Sequence, residues 1–120
     1  MGVDYRSYVG FGIKLADQNT YDELIDKFEA CEVDIYDIEF SDEHIELVDD
    51  GMCGQYMYLL YKLNEFEVYD CDSENTEISL SDFKELLGKV PGALKEACEL
   101  LKLNNFNVED VKFISFTHAY

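Results

Sequence analysis

The stretch with the strongest metal-binding look is Asp70-Cys71-Asp72-Ser73-Glu74-Asn75-Thr76, where oxygen donors recur at alternate positions as calcium prefers. An EF-hand loop also needs a glycine sixth and a bidentate glutamate twelfth; Asn75 and Ser81 stand there instead. The expectation is an acidic solvated loop over 70–76 and no metal. The two histidines, His44 and His118, meet no nucleophile context such as G-x-S-x-G, and a hydrolase needs Ser or Cys, His and an acid brought together. A glycosidase works with two carboxylates, but 27 acids make any pair uninformative, and no Trp offers a platform for sugar stacking. Cys31, Cys53, Cys71 and Cys98 contain no CxxC pair of the kind zinc sites use. Cys71 lies between Asp70 and Asp72, which disfavour its reactive thiolate. Cys31 and Cys98 fall on the apolar faces of predicted helices and read as reduced core thiols of a cytoplasmic protein. No catalytic set emerges, so the chain is read as a non-enzyme without a cofactor.

Charge is the feature with chemical content. Between Asp22 and Ile78 there are nineteen Asp or Glu against Lys27 and Lys62, a net of −17; the remaining eight acids and seven bases give −1, completing the total of −18. Such a field repels nucleic acid and anionic membrane, and attracts basic partners or cations. Acids are interleaved with Tyr36, Tyr56, Tyr58 and Tyr69. Tyrosine supplies rigid contact area at interfaces, and carboxylates select basic partners and speed association. The candidate partner-binding set is Asp34, Tyr36, Asp37, Glu39, Glu46, Asp49, Asp50, Glu65, Glu67 and Tyr69.

Those residues need elements to hold them. At 120 residues with 48% apolar content, the chain is read as one globular domain spanning 1–120. No apolar run approaches the roughly 20 residues of a bilayer span, and the start, Met1-Gly2-Val3-Asp4-Tyr5, has no basic region followed by an apolar core. Val3, Tyr5, Val9, Phe11, Ile13 and Leu15 alternate with polar residues and glycines, which predicts a strand with one buried face and with Gly10 and Gly12 on the other. Thr20-Tyr21-Asp22-Glu23 is a capping box, and Tyr21, Leu24, Ile25, Phe28 and Cys31 follow helical spacing. Asp22 and Glu23 suit the positive end of that helix, whereas Glu29 and Glu32 sit at its wrong end.

Ile38 and Phe40, then Ile45 and Leu47, read as two strands joined at Ser41–His44, with a bulge near Tyr36. Their other face would carry Asp37, Glu39 and Glu46, like charges that destabilise a sheet. Asp49-Asp50-Gly51 predicts a tight hairpin, Gln55–Leu63 a central strand, and Phe66–Cys71 a strand paired back on it, with Glu65, Glu67 and Tyr69 extending the acidic face. Ser81 caps a helix, Gly88 and Pro91 break it, Leu94, Ala97, Cys98 and Leu101 line a second, and Val111–Phe116 is the last strand. The expected fold is α+β: a mostly antiparallel sheet of about five to six strands, first paired with last, and two to three helices on one face, a ferredoxin-like variant with an inserted strand.

In size, acidity and lack of a catalytic motif, the chain resembles the acidic nucleic-acid mimics that phages use against host defences, anti-CRISPR proteins among them, and the immunity proteins that neutralise toxic nucleases. The resemblance implies an inhibitor that occupies a basic surface, a nuclease or other nucleic-acid-binding protein as partner, and no direct nucleic-acid or membrane contact. Carboxylates at i and i+2 on neighbouring strands, roughly 6.7 Å apart, would imitate an array of phosphates. The alternative is a divalent-cation-binding protein or cation-dependent enzyme using the 70–76 loop.

Overall fold

The alternating run at the start becomes the first strand of a sheet. The computed structural model describes residues 5–50, 54–67 and 76–119. Within them are β1 (Tyr5–Ala16), α1 (Tyr21–Ala30), β2 (Ile45–Asp49), β3 (Met57–Glu67), α2 (Leu80–Leu100), a 3-10 turn (Val108–Asp110) and β4 (Lys112–Ala119). The strands form one sheet in the order β2-β3-β1-β4, and every pairing is antiparallel. First and last strands pair as expected, Tyr8 facing Phe116 and Phe11 facing Phe113.

Both helices cover one face. Phe11, Ile13, Ile45, Met57, Leu59 and Tyr61 of the sheet pack there with Phe28 of α1 and with Val90, Leu94, Ala97 and Cys98 of α2. The opposite face holds a smaller cluster contributed by strands alone: Tyr8, Val48 and Leu60, with Tyr58, Ile114 and Phe116 beside them. β3 is therefore apolar on both faces, as its sequence implies. β1 also has two buried faces, because Tyr8 is buried opposite Phe11 and Ile13. Gly10 and Gly12 lie where β3 crowds β1. A Cβ on Gly10 would stand 2.3 Å from the Tyr61 carbonyl oxygen, and one on Gly12 2.4 Å from that of Leu59. The close approach that these glycines permit is made by the neighbouring backbone.

Several local expectations give way to packing. Among the described residues the sheet has four strands, and there are two helices. Residues 38–40 form no strand; Ile35, Ile38 and Phe40 bury against the helix-side core from irregular backbone. The backbone near Tyr36 is a turn, with the Tyr36 and Asp37 N–H groups donating to the Asp34 side chain and carbonyl. The Asp-Gly pair makes no two-residue hairpin: Asp49 pairs with Met57, and the Asp50 N–H donates to the Tyr56 carbonyl at 3.1 Å. β3 runs on through Phe66 to Glu67, so the strand expected from Phe66 does not start as a separate one, and the rest of that stretch, 68–71, lies outside the described residues.

α2 passes through Gly88, Pro91 and Gly92 unbroken. Its apolar stripe of Phe83, Leu86, Val90, Leu94, Ala97 and Leu101 keeps helical spacing across the proline, and burial of that stripe outweighs the lost hydrogen bond. Ser79, not Ser81, caps it, accepting from the Asp82 N–H at 3.2 Å. The Thr20 hydroxyl bonds Asp17 instead of capping α1. Cys31 is exposed at the end of α1, while Cys98 is buried and its thiol is pushed up to about 11, first by burial and then by Glu99.

Both helices end in Schellman motifs. Val33 N–H returns to the Phe28 carbonyl and Glu32 N–H to Glu29; Leu103 N–H returns to Cys98 and Lys102 N–H to Glu99. The left-handed position that glycine usually fills holds Glu32 (φ 58°) in one and Lys102 (φ 61°) in the other. No helix among the described residues is long and apolar enough to cross a membrane.

Candidate functional site

Residues 17–50 carry fourteen acids and one base, Lys27, a net of 1 − 14 = −13. They build α1, the irregular 31–44 connection and β2. Asp22, Glu23, Asp26 and Glu29 are exposed on the outer side of α1, and Asp34, Asp37 and Glu39 are exposed on the connection. Between the end of α1 and that connection lies a groove of about 470 Å³. Ile25, Phe28, Val33 and Ile35 line it with apolar surface, and Glu29, Glu32 and Asp34 line it with carboxylates. Tyr36 stands at the groove with 79% of its surface exposed.

Local chemistry fixes this shape. The Schellman turn at Glu32 folds Val33 back onto Phe28, which closes the apolar floor. The Asp34 carboxylate accepts the Tyr36 N–H at 3.0 Å and sets the next turn. Asp49, half-buried at the end of β2, accepts a hydrogen bond from the Tyr21 hydroxyl and a long one from Tyr36 at 3.5 Å. Burial, then the Asp49 hydrogen bond and charge, raise the Tyr21 pKa well above that of a free tyrosine. The neutral phenol is thereby held as a donor.

The expected set divides. Asp34 and Tyr36 come together at the groove, Asp49 is tied to it only through the long hydrogen bond from Tyr36, and Asp37 and Glu39 continue along the same connection on irregular backbone rather than a strand. Asp50 does not belong to a surface. It is 7% exposed, its carboxylate accepts the Gln55 N–H at 3.3 Å, and its carbonyl accepts the Gly54 N–H at 2.8 Å, tying the β2–β3 loop.

Glu46 and Glu65 lie on the helix-free sheet face, where Lys62 meets each at 2.8 Å and Arg6 meets Glu65 at 3.0 Å. Burial alone would lower the Lys62 pKa, but the hydrogen bonds to Glu46 and Glu65 outweigh it and the net shift is upward. These acids are neutralised, and the single acidic sheet face expected from the sequence is not built. Glu67 pairs in register with Arg6, but its side chain, like Tyr69 and positions 70–75 of the calcium-like stretch, lies outside the described residues. Cys53, Cys71 and the side chain of His118 lie outside them too. Among the described residues no group of His, Cys, Asp and Glu could hold a metal ion. His44 stacks on Tyr61 at 4.9 Å and bonds Asp42 at 2.8 Å, with no nucleophile in the arrangement.

The helix-free face is aromatic. Phe116 has its ring centroid 4.8 Å from Tyr58, 5.4 Å from Tyr8 and 6.0 Å from Tyr56. Tyr56 and Tyr58 thus belong with Phe116 rather than with the exposed acids.

Glu29 and Glu32 were not in the expected set. Their signal was present: two carboxylates at the negative end of a helix oppose its dipole, so folding gives no reason for them. Comparison with protein-family models, curated proteins and solved structures finds no match for this chain.

Proposed function

We propose that this chain is a small protein-binding inhibitor that covers a basic surface of a nucleic-acid-handling protein, using the acids of α1 and of the 31–44 connection in place of phosphates. The observation that carries the reading is the apolar groove with a carboxylate rim beside exposed Tyr36. Lysine and arginine have an apolar stem and a charged head. The floor of Ile25, Phe28 and Val33 fits the stem, and Glu29, Glu32 and Asp34 fit the head. Asp22, Asp26 and Glu29 add carboxylates about one helical turn apart, roughly 5.4 Å. The order β-α-β-β-α-β with strands 2-3-1-4 we read as a ferredoxin-like split βαβ arrangement, which hosts many functions and argues for none.

The test begins with affinity capture from the native host and continues with the purified partner. That partner is expected to be basic, to lose its nucleic-acid binding when the chain is added, and to associate more slowly as salt rises. The triple variant Glu29→Lys, Glu32→Lys, Asp34→Lys is expected to fold and to lose binding at least tenfold. Glu46 is a poor site for reversal, because a lysine there would face Lys62. Unchanged affinity and salt dependence in the triple variant would remove the groove from the interface.

A further inference from the structure

The two edges of the sheet differ in chemistry. In the order β2-β3-β1-β4 the outer strands are β2 and β4, and among the described residues each pairs along one side only. An open edge is a row of N–H and C=O groups able to pair with another chain, and short length, charge, bulges or proline normally blunt it. β2 is blunted: it has five residues, carries Glu46 and Asp49, and follows Asp42 and Glu43. β4 is not. Its eight residues, Lys112-Phe113-Ile114-Ser115-Phe116-Thr117-His118-Ala119, include no acid, glycine or proline. Phenylalanine, isoleucine and threonine favour strands, and the pairing with β1 runs from Lys112 to Ala119 without a register shift.

In a chain of net charge −18, a strand free of carboxylates is where a second copy meets least repulsion. The nearest acids before it, Glu109 and Asp110, belong to the 3-10 turn. Both faces of the strand also leave apolar surface open. On the helix side Phe113 meets Phe11 edge-on at 5.4 Å between ring centroids, yet keeps 56% of its surface exposed. On the other side Ile114 and Phe116 are only half-buried.

We propose that β4 pairs antiparallel with β4 of a second copy of this chain, joining two four-stranded sheets into one of eight strands. The two-fold axis of such a pair stands perpendicular to the sheet, so both helix layers lie on one side and opposed residues share a face. Centred on Ser115, it sets Ile114 of each copy opposite Phe116 of the other, and Phe113 opposite Thr117. These are aromatic–β-branched pairs, which stabilise a sheet. The contact is closed: both β4 edges are used, and the edges that remain are the short, acidic β2 strands. No groove residue takes part, so the pairing does not depend on the function proposed for the groove.

Sedimentation velocity of the full chain over a hundredfold range of concentration tests this. A monomer–dimer equilibrium is expected. Dimerisation should tighten at least threefold from low to moderate salt, because screening weakens the repulsion between two copies of charge −18. That sign is opposite to the one expected for a basic partner. Ser115→Glu and Ser115→Lys each bring two like charges together at the axis. Both should weaken the dimer at least tenfold, while circular dichroism shows the same fold. The lysine variant is decisive, because it lowers the net charge and would tighten any association limited by overall repulsion. Gln18→Glu, at an exposed turn outside the sheet, is the control for net charge and should leave the dimer within twofold. A chain that stays monomeric throughout, growth beyond the dimer, weakening by salt, or a dimer that either folded Ser115 variant leaves unchanged overturns the proposal.

Discussion

Glu32 and Lys102 occupy the same strained position in two helix ends, so they form a matched pair of tests. A left-handed conformation costs a non-glycine residue roughly 1–2 kcal/mol. Glu32→Gly and Lys102→Gly are each expected to raise stability by about 1 kcal/mol in urea unfolding. Only Glu32 lines the groove. Its replacement should stabilise the fold and weaken partner binding together, while Lys102→Gly should stabilise alone. A Glu32 variant with unchanged stability would mean that the turn is relaxed by its surroundings. A residue-level reading of the sequence reached Asp34, Tyr36 and Asp49, because tyrosines beside acids are visible as letters. It could not see that Glu46 and Glu65 are neutralised. That depends on the β1–β3 register, in which Val9 pairs with Asn64 and Gly10 with Lys62, leaving Leu63 as a bulge that brings Glu65 to the Lys62 side.

At the level of elements, glycine has opposite meanings in β1 and α2. Gly10 has the Tyr61 backbone where a Cβ would go, and Gly92 has nothing within 4 Å. Gly10→Ala is expected to cost about 1–3 kcal/mol or more, since a backbone oxygen cannot step aside. Gly92→Ala is expected to add about 1 kcal/mol, the difference in helix propensity. Thermal unfolding of both checks the pair; a neutral Gly10→Ala would show that β1 and β3 can separate locally without loss. α1 and most of the strands were legible from period alone, since Met57, Leu59 and Tyr61 alternate with Tyr58 and Leu60 across a whole strand, whereas α2 was read as two helices. The errors came from reading local signals without their long-range competitor. Gly88 and Pro91 mark a break that the buried stripe of α2 overrides. Ile38 and Phe40 alternate like a strand, yet partly bury their side chains against the core from irregular backbone.

For the molecule as a whole, pH and salt should act through different residues. Tyr8, buried and near Glu46 and Glu65, has its pKa pushed up to about 12 from 10.0. The folded state thus holds the neutral phenol more tightly than the unfolded chain does. Its contribution is complete below pH 10.0 and is lost as pH rises toward about 12. Tyr21 and Tyr61 are shifted in the same direction and add to this. Denaturant unfolding across that window should show stability falling, and Tyr8→Phe should make the fall shallower. Salt acts on the acids of 17–50, whose repulsion is screened over about 10 Å at 0.1 M. The melting temperature should therefore rise from low to moderate salt, and a flat or falling profile would mean that these acids do not strain the fold.

The separation of charge also decides how the molecule meets a surface. Carboxylates crowd α1 and the 31–44 connection, while Arg6 and Lys62 sit with Tyr8, Tyr58 and Phe116 across the sheet. Such a body has a permanent dipole, and near a positive patch it experiences a torque before it touches. Were it to cover a basic surface as proposed, it would arrive acidic side first, with few collisions wasted on wrong orientations, and once seated would turn its other side outward. A protein covered in this way would exchange a cationic exterior for a face on which Arg6 and Lys62 are already paired with Glu46 and Glu65, so its next neighbour would meet balanced charge where unpaired lysine and arginine had been.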